Sequence, residues 1–311
     1  MGGDMKLPLI VINAFVIRAD SLPPQGIRTA RPGYNVNRAG QGIEDSATHD
    51  HALALVTQPQ LEWEAFDEYW RKVHGPKILH VDGGEDRQTD LLSYYLQQHR
   101  VPGGPTSERT PPYSSDAEAG RLVRDPAPRS APFSRPVWDG LAQLGYRSKQ
   151  DLETFFTSDK YVNKIVPDEA VFIRGFGFHL AEEHVVLQLG EQRRDPIILL
   201  KLHARNPELT RPQFRGRWMA QHAELIRRLR AGNHGLRRYA QLVNVSSSTD
   251  KIYDPVGDRY DGVTAMSFAD MTGLEEFLSS EEYREIREDE TEFARDTTFF
   301  TAINYVIKDC P

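Results

Sequence analysis

The chain has 311 residues, of which 39% are hydrophobic and 27% charged, with a formal net charge of −7. That length accommodates about two domains with a sizeable core, and the acidic balance argues against a dedicated nucleic-acid binder. The single cysteine, Cys310, excludes an internal disulfide and suits a reducing cytoplasm, and no run approaches the roughly 18 apolar residues of a membrane-spanning helix.

The first element is the apolar run Leu7 to Ile17. Only Lys6 precedes it, Asp4 opposes it and no small-residue cleavage site follows, so it reads as a buried strand rather than a signal-peptide core. Residues 19–50 carry Pro, Gly, Asn and Arg without periodicity and read as an irregular arm. Ala52 to Val56 predicts a short buried strand. A helix from Leu61 then carries Phe66, Trp70 and His74 at steps of four, on one stripe, and Gly75-Pro76 predicts its stop. Asp82 to Arg87 is a loop, and Leu91 to Leu96 is strand-like. Residues 102–136 hold eight of the chain's 20 prolines and read as an insertion, either a surface loop or a lid over a site. Val137 to Tyr146 predicts a strand, and Ser148 caps a helix running to about Lys160. Val171 to Leu180 predicts a strand bulged at its glycines, followed by a connecting strand from His184 to Leu189. The same order then returns. A strand from Ile197 to Leu202 precedes a helix from Arg211 to Ala231 capped by Gly232. Strands at Leu236 to Val245 and Gly262 to Phe268, a helix at Thr272 to Arg287 and a strand at Phe300 to Ile307 follow. The acidic run Glu281 to Glu292 reads as a solvated helix face.

This recurrence is a true internal repeat. The stripe Phe66, Trp70, His74 reappears 148 residues later as Phe214, Trp218, His222. Trp138 to Tyr161 aligns without a gap on Tyr260 to Tyr283 at an offset of 122, with identical pairs that include Asp139/Asp261, Gly140/Gly262 and Tyr161/Tyr283. Between these blocks, Tyr95 and Gln97 match Tyr239 and Gln241. Each copy reads β-α-β-β-α-β, an α+β ferredoxin-like unit. A sheet with both helices on one face leaves its other face apolar, and packing two such sheets together is the simplest cover. The expected organisation is an N-terminal strand and arm in residues 1–50, a first repeat in 51–189 containing the insertion, and a second repeat in 190–311.

The run Phe66-x-x-Tyr69-Trp70-x-x-x-His74-Gly75-Pro76, then Tyr95-x-Gln97-x-His99, then Asp139-Gly140 resembles the EthD domain of the dimeric α/β-barrel superfamily. The second copy is similar, with Trp218-x-x-x-His222, Arg238-Tyr239-x-Gln241 and Tyr260-Asp261-Gly262. The resemblance covers about two hundred residues and leaves out the first fifty and the insertion. It implies two ferredoxin-like repeats packed as an intramolecular dimeric α/β-barrel. Related barrels include cofactor-free polyketide cyclases, dehydratases, decarboxylases and monooxygenases, and the fold alone does not choose among them.

A helix C-terminus at His74 would favour its imidazolium, suited to a general acid or an acid–base shuttle; the alternative is a histidine tying a turn. Tyr95, Gln97 and His99 alternate along one strand face, and His99 aligns with Val243 in the second copy. Asp139 and Asp261 each precede a glycine, as a structural turn or as the orienter of an imidazole. The expected catalytic set is His74, His99, Tyr95 and Asp139, with Trp70, Gln97, Tyr69 and Trp138 contacting substrate. His222, Asp261 and Tyr239 form a weaker second copy, and His222 sits in mid-helix. No Cys-x-x-Cys or His-Glu-x-x-His appears, so no metal site is expected. Haem-binding relatives exist in the superfamily, with His179 or His74 as conceivable axial ligands. No local signature favours haem, and no cofactor is expected. The leading expectation is a cofactor-independent lyase or cyclase acting on an aromatic or polyketide-like molecule by histidine acid–base chemistry. The alternatives are a non-catalytic binding or assembly module and a cofactor-free monooxygenase. The expected partner is a small-molecule substrate, with no nucleic acid or membrane, in the cytoplasm; a homodimer is left open.

Overall fold

The computed structural model describes residues 9–18, 63–79, 88–107, 110, 115–116, 123–124, 138–189, 193–229 and 235–309. Eight strands close into one antiparallel barrel: β1 (Ile10–Arg18), β2 (Leu92–Arg100), β3 (Gly140–Tyr146), β4 (Ile173–Gln188), β5 (Ile197–Arg205), β6 (Leu236–Asn244), β7 (Gly262–Phe268) and β8 (Ala294–Asp309). Around the barrel they run β1-β3-β2-β8-β5-β7-β6-β4 and back to β1. Each half is a ferredoxin-like sheet, and the halves join where β2 meets β8 and β6 meets β4. Closure leaves the barrel sheet without an edge.

The two joining strands are long, at 16 residues each. The first part of β4 pairs with β1 and its end with β6; β8 does the same with β5 and β2. The strand and the connecting strand expected at 171–180 and 184–189 are therefore one element serving both halves. A second revision concerns β1. Its partners are β3 and β4, and Ile10 faces Tyr146 as Ile197 faces Phe268. The first apolar run thus opens the first half of the barrel rather than preceding it. Ala52 to Val56, the arm at 19–50, the loop from Asp82, Gly232, Cys310 and most of the 102–136 insertion lie outside the described residues. Where the insertion begins, Pro105 O accepts Thr301 N–H and Oγ1–H from β8.

Alternation along each strand divides the core in two. From β1, Val11, Phe15 and Ile17 enter the barrel interior, joining Trp138, Leu200, Leu242 and Phe300. Ile12, Ala14 and Val16 face outward onto helices, among Phe66, Trp70, Phe155 and Phe172. The second half repeats the outer layer with Phe214, Trp218, Phe268 and Phe277.

The helix α1 (residues 63–79) does not stop at Gly75-Pro76. It passes from an α segment, Trp63–Tyr69, through a π turn, Trp70–His74, into another α segment, Gly75–Leu79. Proline lacks an N–H and its ring crowds the carbonyl four residues back. The π turn absorbs both effects: Gly75 N–H bonds to Trp70 O, five residues back. The matching helix α4 (residues 211–228) has its π turn at Trp218–His222. In both halves a buried glutamine from the sheet, Gln97 or Gln241, donates to the carbonyl of the π-turn tryptophan, at 2.9 and 2.8 Å. The repeated Asp-Gly also has a packing reason. A Cβ at Gly140 would lie 2.6 Å from the Trp70 ring, and one at Gly262 would lie 2.3 Å from Trp218.

Besides short turns at Gln88–Leu91 and Gly257–Arg259, the other described helices are α2 (Lys149–Phe156), capped by Ser148 as expected, α3 (residues 161–172), α5 (Met271–Ser279) and α6 (Glu281–Thr291). Ser280 ends α5 and caps α6 through a bond from Tyr283 N, so the single helix expected at Thr272 to Arg287 is two. Helix α3, over part of which a strand was expected, starts with a third π turn, Tyr161–Ile165.

Candidate functional site

Between the outward face of β1 to β3 and helices α1 to α3 lies a cavity of about 20 Å³, room for a water-sized guest. Ala14, Trp70, His74, Tyr95, Tyr161 and Glu169 contribute to its wall, and Val16, Ile78, Ala142, Leu144, Phe156, Ile173 and Phe176 complete it. Its polar groups arrive from three directions: His74 from the π turn of α1, Tyr95 from β2, and Tyr161 and Glu169 from the two ends of α3.

His74 is buried and its Nδ1 lies 2.8 Å from Asp168 Oδ2. The same carboxylate accepts Tyr69 OH at 2.7 Å and Lys77 Nζ. Burial alone would raise the Asp168 pKa, but hydrogen bonds from His74, Lys77 and Tyr69 outweigh it and hold it down to about 2. Burial lowers the His74 pKa despite the pull of Asp168. The pair is therefore a carboxylate and a neutral imidazole whose Nδ1–H donates to Asp168. The lone pair is on Nε2, which has no hydrogen bond to protein among the described residues. The imidazolium expected from a helix C-terminus is overturned, because the helix continues and the site is desolvated.

Glu169, one residue on, is the group that sequence reasoning passed over. Tyr161 OH donates to its Oε1 at 2.6 Å, while its buried Oε2 has no partner. Burial, with Asp168 nearby, pushes its pKa up to about 8. Tyr95 OH accepts from Gln97 Nε2 at 2.8 Å, and burial pushes its phenol far up, so it stays neutral.

Of the expected residues, His74, Tyr95 and Trp70 line one cavity, and Gln97 and Tyr69 brace it through Trp70 O and Asp168. His99 shares a strand face with Tyr95 but stops behind Trp70. It stacks on that indole at 4.2 Å and bonds Asp67 through Nδ1 at 2.6 Å. Burial lowers its pKa. Among the described residues Asp139 meets two arginines: it accepts Arg18 N–H at 3.0 Å and Arg100 Nη2 at 2.9 Å. Asp261 likewise holds Arg205 and Arg211. Trp138 belongs to the barrel interior, where Nε1–H donates to Tyr260 OH at 3.0 Å.

The second half builds the same constellation and closes it. His222 Nδ1 meets Asp289 at 2.7 Å, while His222 Nε2 is taken by Tyr239 OH at 2.8 Å. Glu290, the counterpart of Glu169, is held by Lys201 from β5, with Nζ 2.5 Å from both carboxylate oxygens. Asp289 and Glu290 thus leave the solvated face expected for residues 281–292. Asp168-Glu169 and Asp289-Glu290 correspond at an offset of 121. One residue was lost after the gapless block at 122, and a search allowing that slip would have found them.

Among the described residues no cluster of three or more His, Cys, Asp or Glu side chains is placed to hold a metal. Haem does not suit the histidines considered for it. His179 lies inside the barrel with Nε2 on Asn13 and Nδ1 near Gly257 O, and a macrocycle exceeds the cavity beside His74.

No curated protein sequence matches the chain significantly. Its fold has distant likenesses among solved structures. An anthrone oxidase-like protein is 9% identical, with a TM-score of 0.49 and coverage of 100% of this chain and 98% of that one. A candidate monooxygenase from Fusobacterium nucleatum is 8% identical, with a TM-score of 0.43 and coverage of 98% and 94%. A mutant chlorite dismutase from Candidatus Nitrospira defluvii is 9% identical, with a TM-score of 0.40 and coverage of 97% and 93%. The EthD domain model matches residues 58–175 and again 206–297, most of both halves. With the barrel formed by two such repeats in one chain, the protein belongs to the EthD domain family, as a tandem member.

Proposed function

We propose that the first-half cavity is a small-molecule site in which His74 acts as general base, held in tautomer and orientation by Asp168. One contrast supports this reading: Tyr239 occupies Nε2 of His222 in the second half, whereas no described protein group bonds Nε2 of His74. A neutral histidine backed by a carboxylate takes a proton near neutral pH, and the resulting imidazolium returns it to a leaving group. Neutral Tyr95 would donate to a substrate oxygen on which negative charge develops. This suits proton transfer next to a carbonyl or phenol, and with it the elimination of water, decarboxylation or cyclisation of an aromatic or polyketide-like acid, whose entry into a cavity of about 20 Å³ requires the covering helices to move apart. The lyase or cyclase class is thus our first reading.

The test uses a panel of enolisable aromatic and β-keto acids in D₂O with chelator present, following deuterium uptake and product formation by NMR. The wild-type chain and His222→Ala should catalyse exchange, and His74→Ala should be slower by about 10²–10⁴-fold, the worth of a positioned base. Equal rates for wild type and His74→Ala would overturn the assignment. The small volume of the cavity, about 20 Å³, favours a second reading, a binding module without turnover. That reading predicts saturable binding of a panel member with no exchange above buffer.

A further inference from the structure

The two halves differ most sharply at one pair of positions. The registers Ala14 opposite Ala142 and Lys201 opposite Thr264 put Ala14 of β1 where Lys201 stands in β5. Lys201 is buried, at 1% exposure, and runs outward from the barrel toward helix α6. Its ammonium pairs with both oxygens of Glu290 and sits 5.0 Å from the centre of the Tyr283 ring. The first half keeps both receiving groups, Glu169 for Glu290 and Tyr161 for Tyr283, but not the lysine. Among the described residues Glu169 Oε2 is buried without a partner, and no Lys or Arg side chain lines the cavity. A buried carboxyl with an unmet oxygen is costly. The sister half displays the group that satisfies it: an aminoalkyl arm entering beside the β1-equivalent strand.

Resting on the reading that this cavity is the ligand site, we infer that it takes a primary alkylammonium group, free or as the aminoalkyl arm of a larger molecule, with its nitrogen on Glu169 and the Tyr161 ring. Lys201 is then a built-in likeness of the ligand. Where the second half carries a lysine arm the first half has Ala14 and a cavity of about 20 Å³, so an arm of that length enters as the helices over the sheet move apart. Carbons of the arm would lie against Ala14, Ala142 and Leu144, and the reacting part of a larger ligand would reach His74 on the facing helix.

The probe is n-butylammonium chloride, which reproduces the lysine arm, compared with neutral n-butanol and with butyrate. Binding to the full chain is measured by calorimetry at pH 7 in two buffers of different ionisation enthalpy. Butylammonium should bind about tenfold or more tighter than butanol, the scale of one charge-assisted hydrogen bond. It should also release close to one proton, because Glu169 gives up its own when the ammonium arrives. Glu169→Gln should abolish both the preference and the release. Ala14→Lys should abolish binding by supplying the arm internally; if it fails to fold, Glu169→Gln still decides. The inference is overturned if butanol or butyrate binds as tightly as butylammonium, since Glu169 would then be donating a proton to a ligand oxygen. It is also overturned if Glu169→Gln leaves the preference intact. His74→Ala is expected to keep the preference. Loss of turnover without loss of amine binding therefore tests the base, and the reverse tests this inference.

Discussion

Replacing Glu169 by glutamine should make the protein more stable, and by an amount that grows with pH. Gln keeps the shape and can still accept the Tyr161 hydroxyl, but it carries no titrating proton. In the folded chain burial pushes the Glu169 pKa up to about 8, against 4.5 for an ordinary glutamate. Below pH 4.5 both folded and unfolded chains hold the proton, and the full stability is present. Between 4.5 and about 8 the unfolded chain sheds the proton while the folded chain keeps it. Stability then falls by about 1.4 kcal/mol per pH unit. Above about 8 both states are ionised and the loss levels off. The whole gap is worth at most about 5 kcal/mol, a large share of a typical domain's stability. Urea denaturation of wild type and Glu169→Gln from pH 5 to 8.5 gives the difference directly, since the other titrating groups cancel if they do not contact the site. The variant should gain on the wild type steadily up to about pH 8. A difference that stays flat over this range would show that Glu169 is ionised in the folded chain, and the desolvation argument would fail.

Three further outcomes follow from the same geometry. His74→Ala should lose about 10²–10⁴ of any proton-transfer activity with its far-UV dichroism unchanged, whereas His222→Ala should lose far less; equal losses would contradict the contrast between the two halves. Gly140→Ala puts a methyl 2.6 Å from the Trp70 ring and 2.8 Å from Gln98 O, so chemical denaturation should report a loss of about 1–3 kcal/mol; an unchanged midpoint would mean that the indole moves freely. Lys201→Met strands Glu290 and should cost about 3–5 kcal/mol, whereas the pair Lys201→Met with Glu290→Gln should recover most of it; a double variant as unstable as the single one would remove the ion pair as the cause.

Much of the fold was legible because its signals are local or repeated. Gly262 to Phe268 is a strand at the expected bounds, and Ser148 caps α2 as its position suggested. The tandem repeat then pointed to two matching sheets, whose open faces close into the barrel. What misled was a local rule overridden by tertiary packing. Gly75-Pro76 is a sound stop signal in an isolated helix. Here Gln97 reaches from the sheet to the Trp70 carbonyl, and the π turn carries the chain past the proline. The consequence reached the chemistry: without a helix end at His74 there is no terminal dipole to favour the imidazolium, and burial makes the ring neutral instead. The β1 assignment had a different difficulty. A long separation between strand and helix obscured its membership in the first repeat, and only the register with β3 and β4 reveals it.

The candidate site was half legible for a related reason. His74, Tyr95 and Trp70 stand in motifs that recur, so comparing the copies by sequence finds them. Asp168 and Glu169 lie just beyond the gapless block and looked like ordinary charged residues of a helix, as Asp289 and Glu290 looked like part of a solvated acidic run. Burial distinguishes Asp168, Glu169 and Glu290, and burial is a property of the assembled sheet and helices. The same comparison assigns the halves different roles. A buried carboxyl oxygen without a partner among the described residues costs the first half stability, and in the second half Lys201 removes that cost. A scaffold under no functional demand would be expected to fill both halves alike, because single substitutions suffice to do so. That one half remains unfilled, with a neutral histidine and a protonated glutamate facing the same cavity, is the physical argument for the proposal that a ligand completes it.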